Sequence, residues 1–274
     1  MAKNTTVAKV ENTGGLPSYL SEQTGNYQFG NIDQSDLIIP RIKLLQALSP
    51  EIQDFETARP GNFWHSVASE MLGKELRIIP ILLRKSFVLW APRGDDRGIL
   101  ARANDGVHWD PPNMEFRVRP KGSPGEVVWK TAETVDKSGL AEFGTSIPGD
   151  PKSPPAASLT YNILVLVAGK TEMGPALLLN TRSAVRPAKD LISKVTARRN
   201  VPSFAQVYRM VVKEDKGPQG PFFNYGYASD GFATEEEFRL GKDIFDNYQD
   251  KTFRASDEDD EESSGAPKAD SSKF

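Results

Sequence analysis

Runs of apolar residues alternate with short turn signals through the middle of the chain, a pattern typical of antiparallel strands. The segment Ile78–Trp90 is rich in branched aliphatic and aromatic residues and has turn residues on both sides. It predicts one long strand, or two strands with a bulge near Pro80. Farther along, SLTYNILVLVAG and GPALLLNT predict a hairpin whose turn spans Lys170–Gly174.

Two later segments predict amphipathic helices. In SAVRPAKDLISKVTARR, apolar residues recur at helical spacing: Ala188, Leu191, Ile192 and Val195. Near the C-terminus, Thr234 is placed to cap the segment EEEFRLGKDIFDNYQDKTF, whose first turn is acidic. Between these helices, AQVYRMVVKEDKGPQGPFFNYGYASDG predicts a second hairpin that turns at KGPQG.

The predicted order is therefore strands, a hairpin, a helix, a second hairpin and a C-terminal amphipathic helix. A helix between the third and fourth strands of a five-stranded barrel is the arrangement of the OB-fold, whose curved face binds single strands. We expect a strand-rich α+β fold, an OB-fold-like five-stranded barrel with elaborations. The expected regions are a flexible N-terminal segment (1–30), an OB-fold-like nucleic-acid-binding domain (31–254) and a disordered acidic tail (255–274).

The net charge of -3 is distributed unevenly along the chain. Residues 37–234 carry 26 Lys and Arg against 20 acids, a balance of +6. Residues 1–36 carry two against four, and residues 235–274 carry six against thirteen. A basic body with an acidic tail can fold back on itself or hold two different partners. The acidic overall balance therefore does not argue against a nucleic-acid partner.

Composition narrows the remaining classes of function. The absence of cysteine excludes disulfides, thiolate zinc sites and a cysteine nucleophile, and it fits a reducing cytoplasm. The longest apolar run, Ile163–Ala168, is far shorter than the roughly 20 residues of a membrane span. The N-terminus lacks an apolar signal core. We expect a cytoplasmic protein with no membrane contact.

Catalytic motifs are weak. His65 and His108 are the two histidines, and neither lies in a known motif. The segment Gly169-Lys170-Thr171 follows a strand, but a phosphate-binding loop needs a glycine at position 164, where Leu164 stands. We interpret this segment as a hairpin turn.

The adjacent Asp95 and Asp96 are candidate ligands for a divalent ion. Arg93 and Arg97 flank them, and a loop with internal ion pairs is the commoner arrangement. We expect no enzymatic activity, cofactor or metal. A metal-dependent nuclease built on these aspartates remains an alternative.

Binding chemistry is better represented, because two segments combine cations with aromatic rings. Single strands are held by basic grooves that follow the phosphates and by rings on which bases stack. RKSFVLWAPR and WDPPNMEFRVRPKG both have this composition, and the second hairpin adds tyrosines. The alternative is that these rings fill the core. The candidate DNA-binding residues are Arg84, Lys85, Phe87, Trp90, Arg93, Trp109, Phe116, Arg117, Arg119, Lys121, Tyr208 and Tyr225.

The C-terminal segment DEDDEESSGAPKADSSKF is the most distinctive feature. Its acids can occupy the chain's own basic groove until DNA displaces them, and its terminal ring is a compact handle for another protein. Solubility alone is the simpler alternative. The candidate partner-binding residues are Asp257, Glu258, Asp259, Asp260, Glu261, Glu262 and Phe274.

With this tail and element order, the chain resembles the single-stranded DNA-binding proteins of tailed phages, including the podophage replication type. These proteins have an OB-fold body and an acidic tail that ends in phenylalanine. The resemblance implies a protein of the host bacterial cytoplasm that coats and protects single-stranded DNA during phage replication and recombination. It also implies that the tail recruits a polymerase, a primase-helicase or a recombination nuclease.

Two questions stay open at this level. One is whether the chain forms a homo-oligomer. The other is a rival class, a phage structural or assembly protein whose acidic tail serves solubility.

Overall fold

Antiparallel strands dominate the computed structural model, which describes residues 39–92, 94–217 and 220–250. The strands are β1 (Ile42–Leu44), β2 (Phe63–His65), β3 (Glu70–Gly73), β4 (Glu75–Trp90), β5 (Ile99–Ala103), β6 (Glu115–Val118), β7 (Val127–Lys130), β8 (Ala157–Val167), β9 (Ala176–Thr181), β10 (Gln206–Gly217) and β11 (Gly220–Phe232). The helices are α1 (Glu51–Asp54), α2 (Val135–Ser138), α3 (Val185–Ala197) and α4 (Glu235–Tyr248). The predicted segment 1–30 and tail 255–274 lie outside the described residues.

Strand β4 is the centre of the main sheet, whose order is β11-β10-β4-β8-β9. One edge of β4 pairs with β10 over residues 75–78 and with β5 over residues 87–90. The other edge pairs with β8, and the register shifts between Pro80 and Leu82. The alternative of one long strand is therefore confirmed, and the register shift lies beside Pro80, where the other alternative placed a bulge.

Both faces of this sheet are covered. Along β8, Ile163, Val165 and Val167 face the cluster that contains the buried side of α3. The alternate residues Leu164 and Leu166 face the cluster that contains α4. Because successive side chains of a strand point to opposite faces, α3 and α4 lie on opposite sides of the sheet.

The predicted hairpins and helices are confirmed. Strands β8 and β9 pair antiparallel, as do β10 and β11. Helix α3 buries Ala188, Leu191 and Val195 at the predicted spacing. Helix α4 begins with a capping box in which Thr234 and Glu237 each bond the other's backbone N–H.

A second cluster surrounds the distal half of β4. Strands β6 and β7 form a separate two-stranded ladder, and the buried indoles Trp109 and Trp129 pack together with Phe87 and Leu89 of β4. The two indole N–H groups donate to the Ser138 hydroxyl and to a backbone carbonyl at residue 146. No helix among the described residues is long and apolar enough to cross a membrane.

The strand-rich α+β class is confirmed, whereas the five-stranded OB-fold barrel is not shown. A barrel requires its outermost strands to pair, and no ladder within residues 39–92, 94–217 and 220–250 joins β9 to β11. A three-stranded sheet, β1-β2-β3, lies beside this gap and is linked to β9 by a bridge between Arg41 and Leu177. Within the described residues, the main sheet runs from β11 to β9 with short strands added, and closure into a barrel is not shown.

Side chains occupy the outer edge of β11 where a further strand would pair. The amide of Gln46 accepts from Phe223 N–H at 2.9 Å and donates to Phe223 C=O at 3.0 Å. The Asn224 side chain accepts from Tyr225 N–H at 3.0 Å. The Lys194 ammonium donates to Tyr227 C=O at 2.6 Å. These bonds satisfy backbone groups that a neighbouring strand would otherwise have to pair.

A buried polar network fixes β9 against β11. Asn180 is fully buried, and its Oδ1 accepts from the Tyr225 hydroxyl at 2.7 Å and from the Tyr227 hydroxyl at 3.5 Å. Its Nδ2 donates to the backbone carbonyls of Tyr161 and Leu178. Burial raises the pKa of both tyrosines above their ordinary value, so both hydroxyls keep their protons and act as donors.

We predict that Asn180→Ala lowers the free energy of unfolding by about 2–4 kcal/mol, because it leaves two buried tyrosine hydroxyls without an acceptor. Urea unfolding followed by circular dichroism would measure this loss. The matched control is Asn224→Ala, whose side chain is half-buried and whose loss should be about 1 kcal/mol or less. Equal effects of the two substitutions would contradict the network's role.

Candidate nucleic-acid interface

Several aromatic rings that the sequence suggests as base-stacking surfaces are buried. Phe87, Trp109, Tyr208 and Tyr225 each expose less than a tenth of their surface. Tyr208 donates its hydroxyl to Gln206 Oε1 at 2.6 Å inside the core. These four faces are packed against protein and are not presented to solvent. Their tertiary burial could not be read from composition alone.

The other two rings in the predicted set, Trp90 and Phe116, are half-buried. Phe116 lies on β6 between the exposed Glu115 and Arg117. Neither ring is enclosed, so both keep part of their surface for a ligand.

Most of the predicted cations are exposed. Arg117, on β6, and Arg119, one residue past its end, are both exposed and flank the buried Val118. Arg84 is half-buried, and its guanidinium donates to the Gln249 backbone carbonyl at the end of α4. A cation at a helix C-terminus is favourable, so Arg84 stabilises α4. The exposed predicted cations are Lys85, Arg117, Arg119 and Lys121.

The remaining predicted residues lie outside the described residues. They are Arg93 and the tail residues Asp257, Glu258, Asp259, Asp260, Glu261, Glu262 and Phe274. Their assignment to DNA or to a protein partner stays a prediction.

The histidines differ in environment. His65 is buried, its Nδ1 accepts from Ala68 N–H at 3.0 Å, and burial lowers its pKa below the ordinary value. Neutral His65 is therefore the favoured form. His108 is exposed, and its Nδ1 lies 2.7 Å from an oxygen of Asp105.

One of the two adjacent aspartates, Asp95, is paired inside its own loop, as the sequence interpretation expected. Arg97 Nε donates to Asp95 Oδ1 at 2.8 Å, and this bond lowers the pKa of the Asp95 carboxyl. The segment Gly169–Thr171 forms the turn between β8 and β9, as expected. Among the residues described, no three His, Asp or Glu side chains are grouped to hold a metal ion.

The highest local density of positive charge lies along α3, outside the residues selected from the sequence. The stretch 182–199 contains six Lys and Arg and one acid. We call Arg186, Lys189, Lys194, Arg198 and Arg199 the α3 basic surface. Within the described part of the chain, its exposed members Arg186, Lys189 and Arg199 have no carboxylate partner.

An exposed ring lies next to this surface. Phe232, at the end of β11, exposes 63% of its surface, and the Arg198 guanidinium lies 5.1 Å from its ring centre. Arg198 also donates to the Ser229 hydroxyl at 2.6 Å. A cation and an aromatic face are therefore held together beside α3, which is the combination that single-strand sites use.

Charge on the opposite face of the sheet has the other sign. The stretch 235–250, which contains α4, has six acids and two bases. Both bases are paired, Arg239 with Glu235 and Lys242 with Asp246. A polyanion is therefore attracted to the α3 side and repelled by the α4 side.

A cleft of about 480 Å³ lies at the outer edge of β11, between β1 and the end of β9. We call it the seam cleft. Its lining brings together Arg41, Lys43, Arg182, Phe222 and Phe223, which are far apart in the sequence. It contacts the start of α3, because residues 183 and 184 also line it.

Arg182, in the lining of the seam cleft, has a left-handed backbone with φ of 50°. This conformation is unfavourable for a residue with a Cβ atom, and it recurs at functional sites where the surrounding structure imposes it. The sequence does not predict this backbone conformation, because arginine, unlike glycine or asparagine, is not typical of left-handed positions.

The model of one protein family, described as Pam3 phage gp34-like protein, matches residues 8–254. The match includes every residue that the structure describes. The chain belongs to the Pam3 phage gp34-like family. This membership confirms that it is a phage protein, as the resemblance implied, whereas single-stranded DNA binding stays a prediction. No curated protein and no solved structure matches this member of the gp34-like family.

The left-handed Arg182 of this gp34-like protein gives a test of backbone strain. We predict that Arg182→Gly is more stable than Arg182→Ala by about 1 kcal/mol, because both variants remove the side chain and only glycine relieves the strain. Urea denaturation of the two variants side by side would measure the difference. An alanine variant as stable as the glycine variant would show that position 182 is not strained.

Proposed function

We propose that this phage protein is a non-catalytic, sequence-independent single-stranded DNA-binding protein of phage DNA replication or recombination. The observation that carries the proposal is the α3 basic surface. It carries three exposed cations, Arg186, Lys189 and Arg199, that have no carboxylate partner among the described residues. Its half-buried Arg198 lies 5.1 Å from the ring centre of the exposed Phe232. The sign of charge is reversed on the opposite helix.

Phosphate contacts supply the main attraction in this proposal. Each cation that neutralises a phosphate releases a condensed counterion, which makes binding sensitive to salt and independent of sequence. The cations of α3 are spaced along one helix and can follow a flexible backbone. Four further cations are exposed and can add phosphate contacts; we call them the second group: Lys85, Arg117, Arg119 and Lys121.

Ring contacts favour a single strand over a duplex. Bases of a single strand can unstack onto an aromatic face, and such contacts are worth roughly 1–3 kcal/mol per base. Phe232 is the exposed ring next to Arg198, and Trp90 and Phe116 are half-buried rings within a few residues of second-group cations in the sequence. In a duplex these base faces are already stacked and are not accessible.

In the proposed role, the body coats single-stranded DNA and protects it from nucleases in the host bacterial cytoplasm. The acidic tail, residues 255–274, competes with DNA for the basic body and recruits a polymerase, a primase-helicase or a recombination nuclease. The body is assigned to DNA and the tail to competition and recruitment because the two carry opposite net charges.

The α3 basic surface can be tested by removing its exposed charges. We predict that Arg186→Gln, Lys189→Gln and Arg199→Gln together weaken binding to oligo(dT) on the order of tenfold at low salt. The slope of log affinity against log salt should become less steep by about 2, at roughly 0.7 per lost phosphate contact. Fluorescence anisotropy of labelled oligo(dT) is the suitable measurement, because Trp64, Trp109 and Trp129 are buried.

The matched control removes two cations from the acidic face, Arg239→Gln and Lys242→Gln, and should leave the salt slope unchanged. An unchanged slope in the α3 variant would assign binding elsewhere, and the substitutions Arg117→Gln, Arg119→Gln and Lys121→Gln would then test the second group. Failure of the unmodified protein to bind oligo(dT) at low salt would reject the proposed function.

Tail competition is tested by deleting residues 255–274. We predict that the deletion tightens oligo(dT) binding, because it removes an intramolecular polyanion, and abolishes capture of replication proteins by the immobilised chain. A full-length control that carries Asn or Gln in place of the acids at 257–262 separates charge from length. Weaker DNA binding after deletion would contradict the competition.

A further inference from the structure

We infer that Tyr161 and Lys85 together bind one nucleotide of a single strand, with the base stacked on the Tyr161 ring and the phosphate held by the Lys85 ammonium. The two residues are directly opposite each other in the ladder between β4 and β8. The inference rests on the proposed function, because it names the place on the main sheet where a strand attracted by α3 makes a ring contact.

Both side chains lie on the α3 side of the main sheet. Leu83 of β4 and Tyr161 of β8 pack against the cluster that contains Ala188 and Leu191 of α3. Lys85 is the second residue after Leu83, and alternate residues of a strand share a face. Lys85 and Tyr161 therefore point to the side of the sheet that carries the α3 basic surface.

The cover of this face is interrupted at these two residues. Along β8, Ile163 is fully buried in the α3 cluster, whereas Tyr161 and Leu159 are half-buried. On β4, Lys85 is exposed, and burial resumes at Phe87, which belongs to the cluster of the two buried indoles. The sheet therefore has an open strip between its apolar clusters, and this strip presents one ring beside one cation.

The charge of Lys85 is not neutralised by the residues that the structure describes. Its ammonium lies 4.7 Å from the centre of the Phe87 ring, and no described carboxylate is within ion-pair distance of it. The adjacent loop contacts the Lys85 backbone at Gly106, and its acid, Asp105, bonds the backbone and the ring of His108 instead. The ammonium is therefore held over a ring and is available to a phosphate.

Tyr161 differs from the other tyrosines of the main sheet. Tyr208, Tyr225 and Tyr227 are buried, and each donates its hydroxyl to a side-chain amide oxygen. Tyr161 is half-buried, and its hydroxyl has no hydrogen-bond partner within residues 39–92, 94–217 and 220–250. A tyrosine that is neither enclosed nor bonded can stack on a base and also bond its polar edge.

The position of Tyr161 continues the path of the α3 basic surface. Thr181, the last residue of β9, pairs with Thr160, which is next to Tyr161. Helix α3 begins shortly after Thr181, at Val185, and Arg186 is its first exposed cation. The start of α3 therefore lies at the Tyr161 end of β8, and a strand that runs along the helix past this end reaches the open strip.

The direct test is photocrosslinking of the full-length protein to oligo(dT) in which one thymine is replaced by iodouracil, which joins to an aromatic side chain in stacking contact when irradiated. The iodouracil is placed in turn at each position, and mass spectrometry of the joined peptide identifies the residue. A crosslink at Tyr161 is expected. Crosslinks to other rings with none at Tyr161 would overturn the inference.

The ring is tested by substitution. Tyr161→Leu should weaken oligo(dT) binding about tenfold, a loss within the range for one stacked base, whereas Tyr161→Phe keeps the ring and should bind nearly as tightly as the unmodified protein. An abasic strand with the same number of phosphates should bind Tyr161→Leu and the unmodified protein equally. Unchanged oligo(dT) binding by Tyr161→Leu, or an equal loss with the abasic strand, would overturn the inference.

The cation is tested by Lys85→Gln, which should weaken binding of both oligo(dT) and the abasic strand and make the salt slope less steep by about 0.7, the value for one phosphate contact. The matched control is Lys213→Gln. Lys213 is an exposed lysine of the same sheet, and it points to the opposite face because its neighbour Val212 packs against the α3 cluster. The control should leave the slope unchanged, and equal changes in the two variants would contradict a phosphate contact at Lys85.

The unmodified protein separates this inference from the proposed function. If it binds oligo(dT) and the substitutions at Tyr161 and Lys85 leave that binding unchanged, the inference fails and the proposed function stands. If it does not bind oligo(dT) at low salt, the proposed function fails and the inference fails with it.

Discussion

The burial of strand β4 on both faces is the constraint on which the rest of the structure depends. Its residues alternate between two apolar clusters, Ile78 in one and Ile79 in the other, so neither face can be left in water. Each face requires its own amphipathic cover, and α3 and α4 supply one each. An amphipathic helix carries its charged residues on its solvent-facing side. Because α3 is mainly basic and α4 mainly acidic, the molecule has a basic side and an acidic side.

Local periodicity accounts for most of what the sequence predicted correctly. The two hairpins and two helices have strong alternation or helical spacing, and the register shift beside Pro80 follows from the ring's lack of an N–H. The OB-fold expectation used only the order of the elements. Order does not determine which strands pair at the ends, and among the described residues no ladder joins β9 to β11.

The binding site was harder to predict for a related reason. A sequence in which aromatic residues alternate with cations is compatible both with an exposed binding groove and with a strand that buries one face. In this protein the rings of Phe87, Trp109 and Tyr208 are buried. The cations of α3 are clustered in the sequence, but their segment contains no aromatic residue and so lacks the combination of cations and rings that predicts a single-strand site. The ring beside them, Phe232, comes from β11, and the seam cleft likewise joins residues more than a hundred positions apart.

The side chains that bond the edge of β11 also affect how copies of this protein behave when they are crowded. An exposed edge strand is a template on which a second molecule can add its own strand, and repeated addition leads to fibres or aggregates. Gln46, Asn224 and Lys194 already bond backbone groups of β11, so those positions do not recruit a foreign strand. Copies of this protein can therefore be crowded together without adding strands to one another at these positions of β11.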